Sequence, residues 1–146
     1  MLQYRYKIFD SKEKEVTYMK TRIFLNKKTN EPVLILGGTQ ALGDDYVELK
    51  ANTVDAAREK HVPNVEYDGH KVVAKVGSVR HPMTDEHSIK FIILETNKMA
   101  QIKYLNITDE PEAVFILNDD EKPVAVYEYC NLHGLWKYEM NYILNE

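Results

Sequence analysis

Five side chains that bind transition metals all fall after residue 60 of this 146-residue chain. Cys130 and His133 are separated by two residues, His81 and His87 bracket a short polar loop, and His61 lies further upstream. A thiolate is a soft metal ligand and imidazole is a borderline one. Each residue alone has an ordinary structural explanation, because a lone cysteine is commonly a buried apolar residue. Together they predict a metal site.

The number of donors favours one kind of ion. Four imidazoles and one thiolate exceed the four ligands of a tetrahedral zinc site. The set suits iron with four nitrogens in a plane, an axial sulfur and one open position. The fifth histidine, His70, follows the Asp-Gly turn at 68–69 and is expected at the surface.

Short strands must position these donors, because the second part of the chain alternates apolar runs with turns. Strands of this length, spaced by about 10 residues with little helix between, indicate an all-β sandwich or barrel. A sandwich gathers its loops at two ends, and all five donors fall at predicted strand ends or in loops. The predicted strands are 62–67, 71–76, 88–94, 99–105, 112–117 and 123–129.

Residues 1–50 contain no histidine or cysteine and predict a small β appendage ahead of a sandwich domain at 51–146. Strands are expected at 4–9, 15–20 and 32–36, with a hairpin turn at 26–30, and Gly37-Gly38 ends the last strand. A connector helix is expected at 52–60, capped by Asn52 or Thr53 and ended before Pro63.

Composition excludes several classes of protein. A net charge of −4 argues against nucleic acid as a partner, which requires a basic face. No run of about 18 apolar residues is present to span a membrane, and the first residues do not resemble a secretory signal. One cysteine excludes an internal disulfide. These features predict a cytoplasmic protein.

Several separate motifs resemble the superoxide reductase family, which comprises desulfoferrodoxins and neelaredoxins. They are Asn-Thr-Val-Asp-Ala-Ala at 52–57, Glu-Lys-His-Val-Pro at 59–63, Gly-Ser-Val at 77–79, His-Pro-Met at 81–83, Glu-His at 86–87, Pro-Glu-Ala-Val-Phe at 111–115 and Cys-Asn-Leu-His-Gly-Leu-Trp-Lys at 130–137. They occur in the family's order, and the resemblance covers about residues 50–137.

The resemblance implies an immunoglobulin-like β-sandwich that carries one non-haem iron and reduces superoxide to hydrogen peroxide. By motif position, Lys60 is the cation beside the open position, and Glu59 is the carboxylate that occupies it in the oxidised state. A rubredoxin-like protein is the expected electron donor, and a homodimer is expected. The implied ligands are His61, His81, His87 and His133 in the plane and Cys130 on the axis.

Residues 1–50 depart from the family's longer form, in which a four-cysteine desulforedoxin-type iron centre precedes the catalytic domain. Because this segment has no cysteine, that second iron cannot be bound. The chain resembles variants that keep the fold of the segment without its metal.

Two alternatives remain open on the sequence. A cupredoxin-like copper carrier also combines a β-sandwich with a Cys-x-x-His loop and a downstream methionine, here Met140, but needs only two histidines. A sandwich module without enzymatic activity would leave all the histidines incidental.

Overall fold

The computed structural model describes residues 8–9, 15–16, 20–36 and 41–141. Contacts between residues divide the chain into two compact units, Met1–Leu49 and Lys50–Glu146. Among the described residues, no helix is long and apolar enough to cross a membrane.

In its described residues, the first unit contains five strands in two antiparallel sheets. One sheet pairs β1 with β2, and the other has the order β4-β3-β5. The predicted turn at 26–30 is confirmed: the Asn26 side-chain oxygen accepts a hydrogen bond from the Lys28 N–H at 2.9 Å. The strands are β1 Ile8–Phe9, β2 Glu15–Val16, β3 Thr21–Asn26, β4 Glu31–Leu36 and β5 Tyr46–Glu48.

Strand β3 was not expected, because Arg22 interrupts its apolar pattern. The Arg22 side chain is nonetheless buried, forms two hydrogen bonds with the Glu48 carboxylate at 2.9 and 3.0 Å, and lies over the Phe24 ring. Pairing with a carboxylate is what makes such burial tolerable. The predicted ends at residues 4–7, 17–19 and Gly37-Gly38 lie outside the described residues.

The second unit consists of two antiparallel sheets, with the strand orders β10-β7-β6 and β12-β11-β8-β9. This all-β sandwich confirms the predicted fold class, and six of its seven strands lie close to their predicted positions. The seventh, β12, was not predicted. The strands are β6 Pro63–Tyr67, β7 Lys71–Val76, β8 Ile89–Thr96, β9 Ala100–Tyr104, β10 Glu112–Ile116, β11 Pro123–Cys130 and β12 Gly134–Glu139.

The core lies between the two sheets and follows from side-chain alternation. In β7, Val72, Ala74 and Val76 point inward and are buried, while the intervening side chains are more exposed. Strands β8 and β11 are apolar over most of their length and are almost fully buried. Burial of these aliphatic side chains supplies the main driving force for folding the unit.

The predicted helix at 52–60 is mostly absent. Only α1, Arg58–His61, is helical, and its N-cap residue Ala57 makes no side-chain capping bond. Asn52 instead has φ +63° and bridges Lys137, accepting from its N–H at 2.9 Å and donating to its carbonyl at 3.1 Å. This distant contact overrides the local helical preference of the segment.

Candidate metal centre

Three separate segments meet at one end of the sandwich and carry the predicted donors. Helix α1 ends with His61, and the loop between β7 and β8 carries His81 and His87. Strand β11 ends with Cys130, and the turn into β12 carries His133. His61, His81 and Cys130 are buried, whereas His87 and His133 are half-buried.

Backbone carbonyls fix the tautomers of two imidazoles. The Nδ1 atom of His61 lies 2.7 Å from the Ala57 oxygen, and that of His81 lies 2.7 Å from the Pro82 oxygen. A carbonyl oxygen only accepts, so each Nδ1 carries the proton and each Nε2 presents a lone pair. This arrangement of metal-binding histidines, with the far nitrogen held by a carbonyl, is common in metalloproteins.

The Nε2 lone pairs of His61 and His81 point at one another, and the His133 ring lies beside them. The Nε2 atoms of His61 and His81 are 3.2 Å apart, and the Nδ1 of His133 is 3.1 Å from the Nε2 of His61. Imidazole nitrogen binds zinc at about 2.1 Å, and at that distance neighbouring donors at a right angle are about 3 Å apart. The Nε2 lone pairs of His61 and His81 repel at such a separation unless they share a cation, so these two nitrogens fit a metal ion.

Four of the five predicted donors form a tight group. One ligand atom from each of His61, His81, His87 and Cys130 lies within 4.8 Å of the others. His133 adjoins the group, with its ring centroid 4.9 Å from those of both His61 and His87. The buried Nε2 of His87 has no hydrogen-bond partner among the described residues, which is expected of a nitrogen reserved for a metal.

Burial lowers the pKa of three of the imidazoles, those of His61, His81 and His87, and so favours the neutral form that a metal ligand needs. It is the main cause that lowers the pKa of His81 to about 4, and the His81 bond to Pro82 only partly opposes it. Burial also lowers the pKa of His61 and of His87, and the neighbouring imidazoles add to the effect. The charge of Lys60, which directly precedes His61, lowers both pKa values further.

The Cys130 sulfur belongs to the cluster and accepts a backbone hydrogen bond from the turn that follows it. Burial raises the pKa of the thiol, and the backbone N–H groups of His133 and Leu132 oppose that shift. The His133 N–H donates to the sulfur at 3.4 Å. A bound metal ion would deprotonate this thiol, and the N–H donors would then tune the electron density on the sulfur.

A close backbone contact positions α1, which carries Glu59 and Lys60 at its exposed surface. The Glu59 carbonyl accepts hydrogen bonds from the Val79 N–H at 2.9 Å and the Ser78 hydroxyl at 3.3 Å. Gly77, with φ +79°, allows this approach: a Cβ there would lie 2.7 Å from the Glu59 oxygen. The 77–79 turn therefore fixes the backbone of the segment that holds His61.

Sequence reasoning assigned no role to Asn131, although it lies inside a quoted motif. Its side chain joins the Cys130 turn to the segment 86–88 around His87. No signal in one sequence indicates this contact, because the partners are more than 40 positions apart. His70, in contrast, is exposed as expected, with 80% of its side chain accessible.

Comparisons with known proteins identify the family to which the chain is similar. The family model for desulfoferrodoxin matches residues 53–139. A desulfoferrodoxin of Syntrophotalea carbinolica is 50% identical over 91 residues, covering 62% of this chain and 71% of that relative. A desulfoferrodoxin of Clostridium acetobutylicum is 39% identical over 119 residues, covering 79% and 93%.

A solved structure is also similar over most of the chain. The superoxide reductase of Treponema pallidum superposes with a TM-score of 0.69 and 41% identity, covering 82% of this chain and 99% of that one. The superoxide reductase of Giardia intestinalis superposes with a TM-score of 0.51 and 33% identity, covering 57% of this chain and 99% of that one.

Proposed function

The chain belongs to the desulfoferrodoxin family, and on that premise we propose that one iron ion is bound by five of its side chains. The protein is a superoxide reductase: it combines superoxide with one electron and two protons and releases hydrogen peroxide. The proposed ligands are His61, His81, His87, His133 and Cys130. The observation that carries the proposal is the convergence of four of these donors within 4.8 Å.

The donor set suits iron better than the alternatives. Zinc sites in proteins take four ligands and supply no redox chemistry. A blue-copper site uses two histidines, one cysteine and a weak axial ligand. Because His133 of the Cys-x-x-His loop would be one of the two, such a site would leave two of the three grouped histidines without a purpose. Iron bound here supplies the electron, by cycling between its ferrous and ferric states, and an open position for superoxide.

Lys60 is proposed to attract and hold the anion. The protein has a net charge of −4, but the local potential at a site governs the approach of a small ion more than the net charge does. The ammonium group is exposed, and its charge lowers the pKa of both His61 and His87. Lys60 is also proposed to order a water that delivers a proton to the bound anion, a role that needs a cation that keeps its charge.

Glu59 is proposed to cover the open position in the oxidised state. It neighbours Lys60 on α1, and its backbone is held by the 77–79 turn. A carboxylate that binds there between turnovers would exclude other anions and yield to superoxide after reduction. This role is supported by the resemblance and by the exposed position of the residue.

The electron donor and the oligomer are also proposals. A rubredoxin-like protein is proposed as the donor, because the chain has no cysteines for a second iron in residues 1–50. A homodimer formed through that segment is proposed on the same resemblance. Cross-linking and the rate of reduction by a reduced rubredoxin test the two proposals separately.

Metal analysis of the purified protein tests the proposed site. We expect one iron per chain in the wild type and a substantial loss of iron in His87→Ala. His70→Ala, which removes an exposed histidine, is the matched control and should retain its iron. A stoichiometric copper content, or equal iron in all three proteins, would contradict the assignment.

A further inference from the structure

The side-chain amide of Asn131 links the two loops that carry Cys130 and His87. Its oxygen accepts a hydrogen bond from the Ser88 N–H at 2.9 Å, and its nitrogen donates to the Glu86 carbonyl at 3.2 Å. The Asn131 backbone N–H also donates to the Ser88 carbonyl, at 3.2 Å. One residue therefore holds the chain on both sides of His87.

His87 depends on such support more than its neighbours do. The rings of His61 and His81 are each oriented by a carbonyl bonded to Nδ1. For His87, no ring hydrogen bond is found within the described part of the chain, and its Nε2 is buried without a partner. The direction of this imidazole therefore depends on its backbone and on packing against the neighbouring imidazoles.

Thr84 holds the backbone of His87 from within the same loop. Its hydroxyl accepts from the His87 N–H at 3.1 Å, and its own N–H donates to the His87 carbonyl at 3.0 Å. These bonds fix the shape of the loop but not its place relative to the rest of the site. Only a contact to another segment, such as that from Asn131, can set the distance between this loop and the Cys130 turn.

The pairing of β8 with β11 does not by itself fix the distance between the His87 loop and the Cys130 turn. Strands β8 and β11 pair regularly from Ala125 to Tyr129, but the register shifts between Tyr129 and Cys130, as it also does between Pro123 and Ala125. The ladder is therefore irregular at the residue that carries the sulfur. Asn131 follows Cys130 directly and supplies three hydrogen bonds where the regular pairing stops.

We propose that Asn131 is a positioning residue that sets the separation of the Cys130 sulfur and the His87 imidazole and thereby tightens metal binding. The inference rests on the proposed function for the identity of the site. Outer-shell partners of this kind change metal affinity by about 10- to 100-fold when they are removed. The bridge consists of protein atoms alone, so its effect on metal binding can be measured without catalysis.

Co²⁺ is a suitable probe, because its absorption reports thiolate coordination without turnover. The affinity of the metal-free chain for Co²⁺, measured by competition with a chelator, should fall by about 10- to 100-fold in Asn131→Ala. Exchange of the Ser88 amide hydrogen should accelerate in the same variant before any metal is added.

Asn52→Ala is the matched control, because Asn52 makes the same pair of side-chain bonds to the backbone of Lys137. It should lose at least as much stability, since it also leaves alanine at φ +63°, yet keep its Co²⁺ affinity and thiolate absorption. Asn131→Gln keeps the amide but displaces it by one methylene group, so it should lower the Co²⁺ affinity less than loss of the amide would. This variant keeps the inference testable if Asn131→Ala does not fold.

Equal Co²⁺ affinities in the wild type and in the folded Asn131 variants would overturn the inference and leave the proposed function intact. An equal fall in the Asn52 control would also overturn it, because the effect would then be one of general stability. Failure of the wild type itself to bind Co²⁺ with thiolate absorption would overturn the proposed site and this inference with it.

Discussion

The indole of Trp136 is stacked on the imidazole of His61, with ring centroids 4.9 Å apart and an interplanar angle of 23°. The indole is fully buried, and its N–H donates to the His133 carbonyl at 3.1 Å. One side chain thus packs against one proposed ligand and anchors the backbone of another. The Arg58 guanidinium lies 5.9 Å from the Trp136 ring centroid.

Trp136→Phe should lower the free energy of unfolding by about 1–3 kcal/mol, because it removes a buried donor and leaves the His133 carbonyl without it. It should also release iron faster to a chelator, since the His133 turn is less restrained. Urea denaturation of the metal-free protein and chelator kinetics of the iron form measure the two effects. Tyr104→Phe, at an exposed aromatic, is the control, and equal behaviour of the two variants would refute the anchoring role.

Gly77→Ala should destabilise the protein more than Gly69→Ala does. Both glycines have positive φ, so each alanine carries the backbone cost of about 1–2 kcal/mol. At Gly69 a Cβ meets nothing within 4 Å, whereas at Gly77 it would lie 2.4 Å from the Val79 oxygen and 2.7 Å from the Glu59 oxygen. The collision adds to the cost and displaces α1.

Urea denaturation of the two glycine variants, with iron content as a second measurement, separates strain from displacement. Gly77→Ala should lose iron as well as stability, and Gly69→Ala should lose only stability. Similar results for the two would mean that the close approach of the 77–79 turn does not position the site.

Cys130→Ser should abolish the sulfur-to-iron charge-transfer band of the oxidised protein, because serine has no sulfur to supply the electron. Iron binding should weaken as well, since a hydroxyl is a poorer ligand than a thiolate. Visible absorption of the oxidised variant, reconstituted with iron, is the measurement. A variant that keeps the band would remove Cys130 from the ligand set.

Lys60→Ala should slow the capture of superoxide several-fold, within the total of about 10- to 10³-fold that electrostatic steering can supply. The rate should also depend less on ionic strength, because salt screens the attraction that the variant has lost. Pulse-generated superoxide at several salt concentrations measures both. Lys75→Ala, on an outward position of β7, is the control, and an unchanged rate in Lys60→Ala would dismiss the steering role.

The sandwich could be predicted from sequence where local pattern and tertiary environment agree. Strand β7 was placed at its observed bounds because its β-branched residues lie between the Asp-Gly turn and Gly77. Strand β12 was not foreseen, because Gly134, Leu135 and Trp136 were interpreted only as part of a motif. Its register is set by pairing with β11, Cys130 opposite Gly134, which a single sequence does not reveal.

The wrong predictions for the helix at 52–60 and for strand β3 share one physical cause, a long-range contact that outweighs local preference. The bridge from Asn52 to Lys137 replaces the predicted helical cap, and the Glu48 carboxylate permits a buried Arg22 inside β3. In the site, residue types and motif order predicted the donors, four of which lie together. The hydrogen bonds that orient them, such as that from Asn131 to Ser88, depend on the folded chain.

The products of superoxide consumption test the central claim most directly. Iron-loaded, reduced protein mixed with a limiting amount of superoxide should form one hydrogen peroxide for each superoxide consumed, with one electron lost from the protein and no dioxygen released. Half that yield of peroxide accompanied by dioxygen would indicate dismutation, and that result, or a decay no faster than the spontaneous one, would contradict the account.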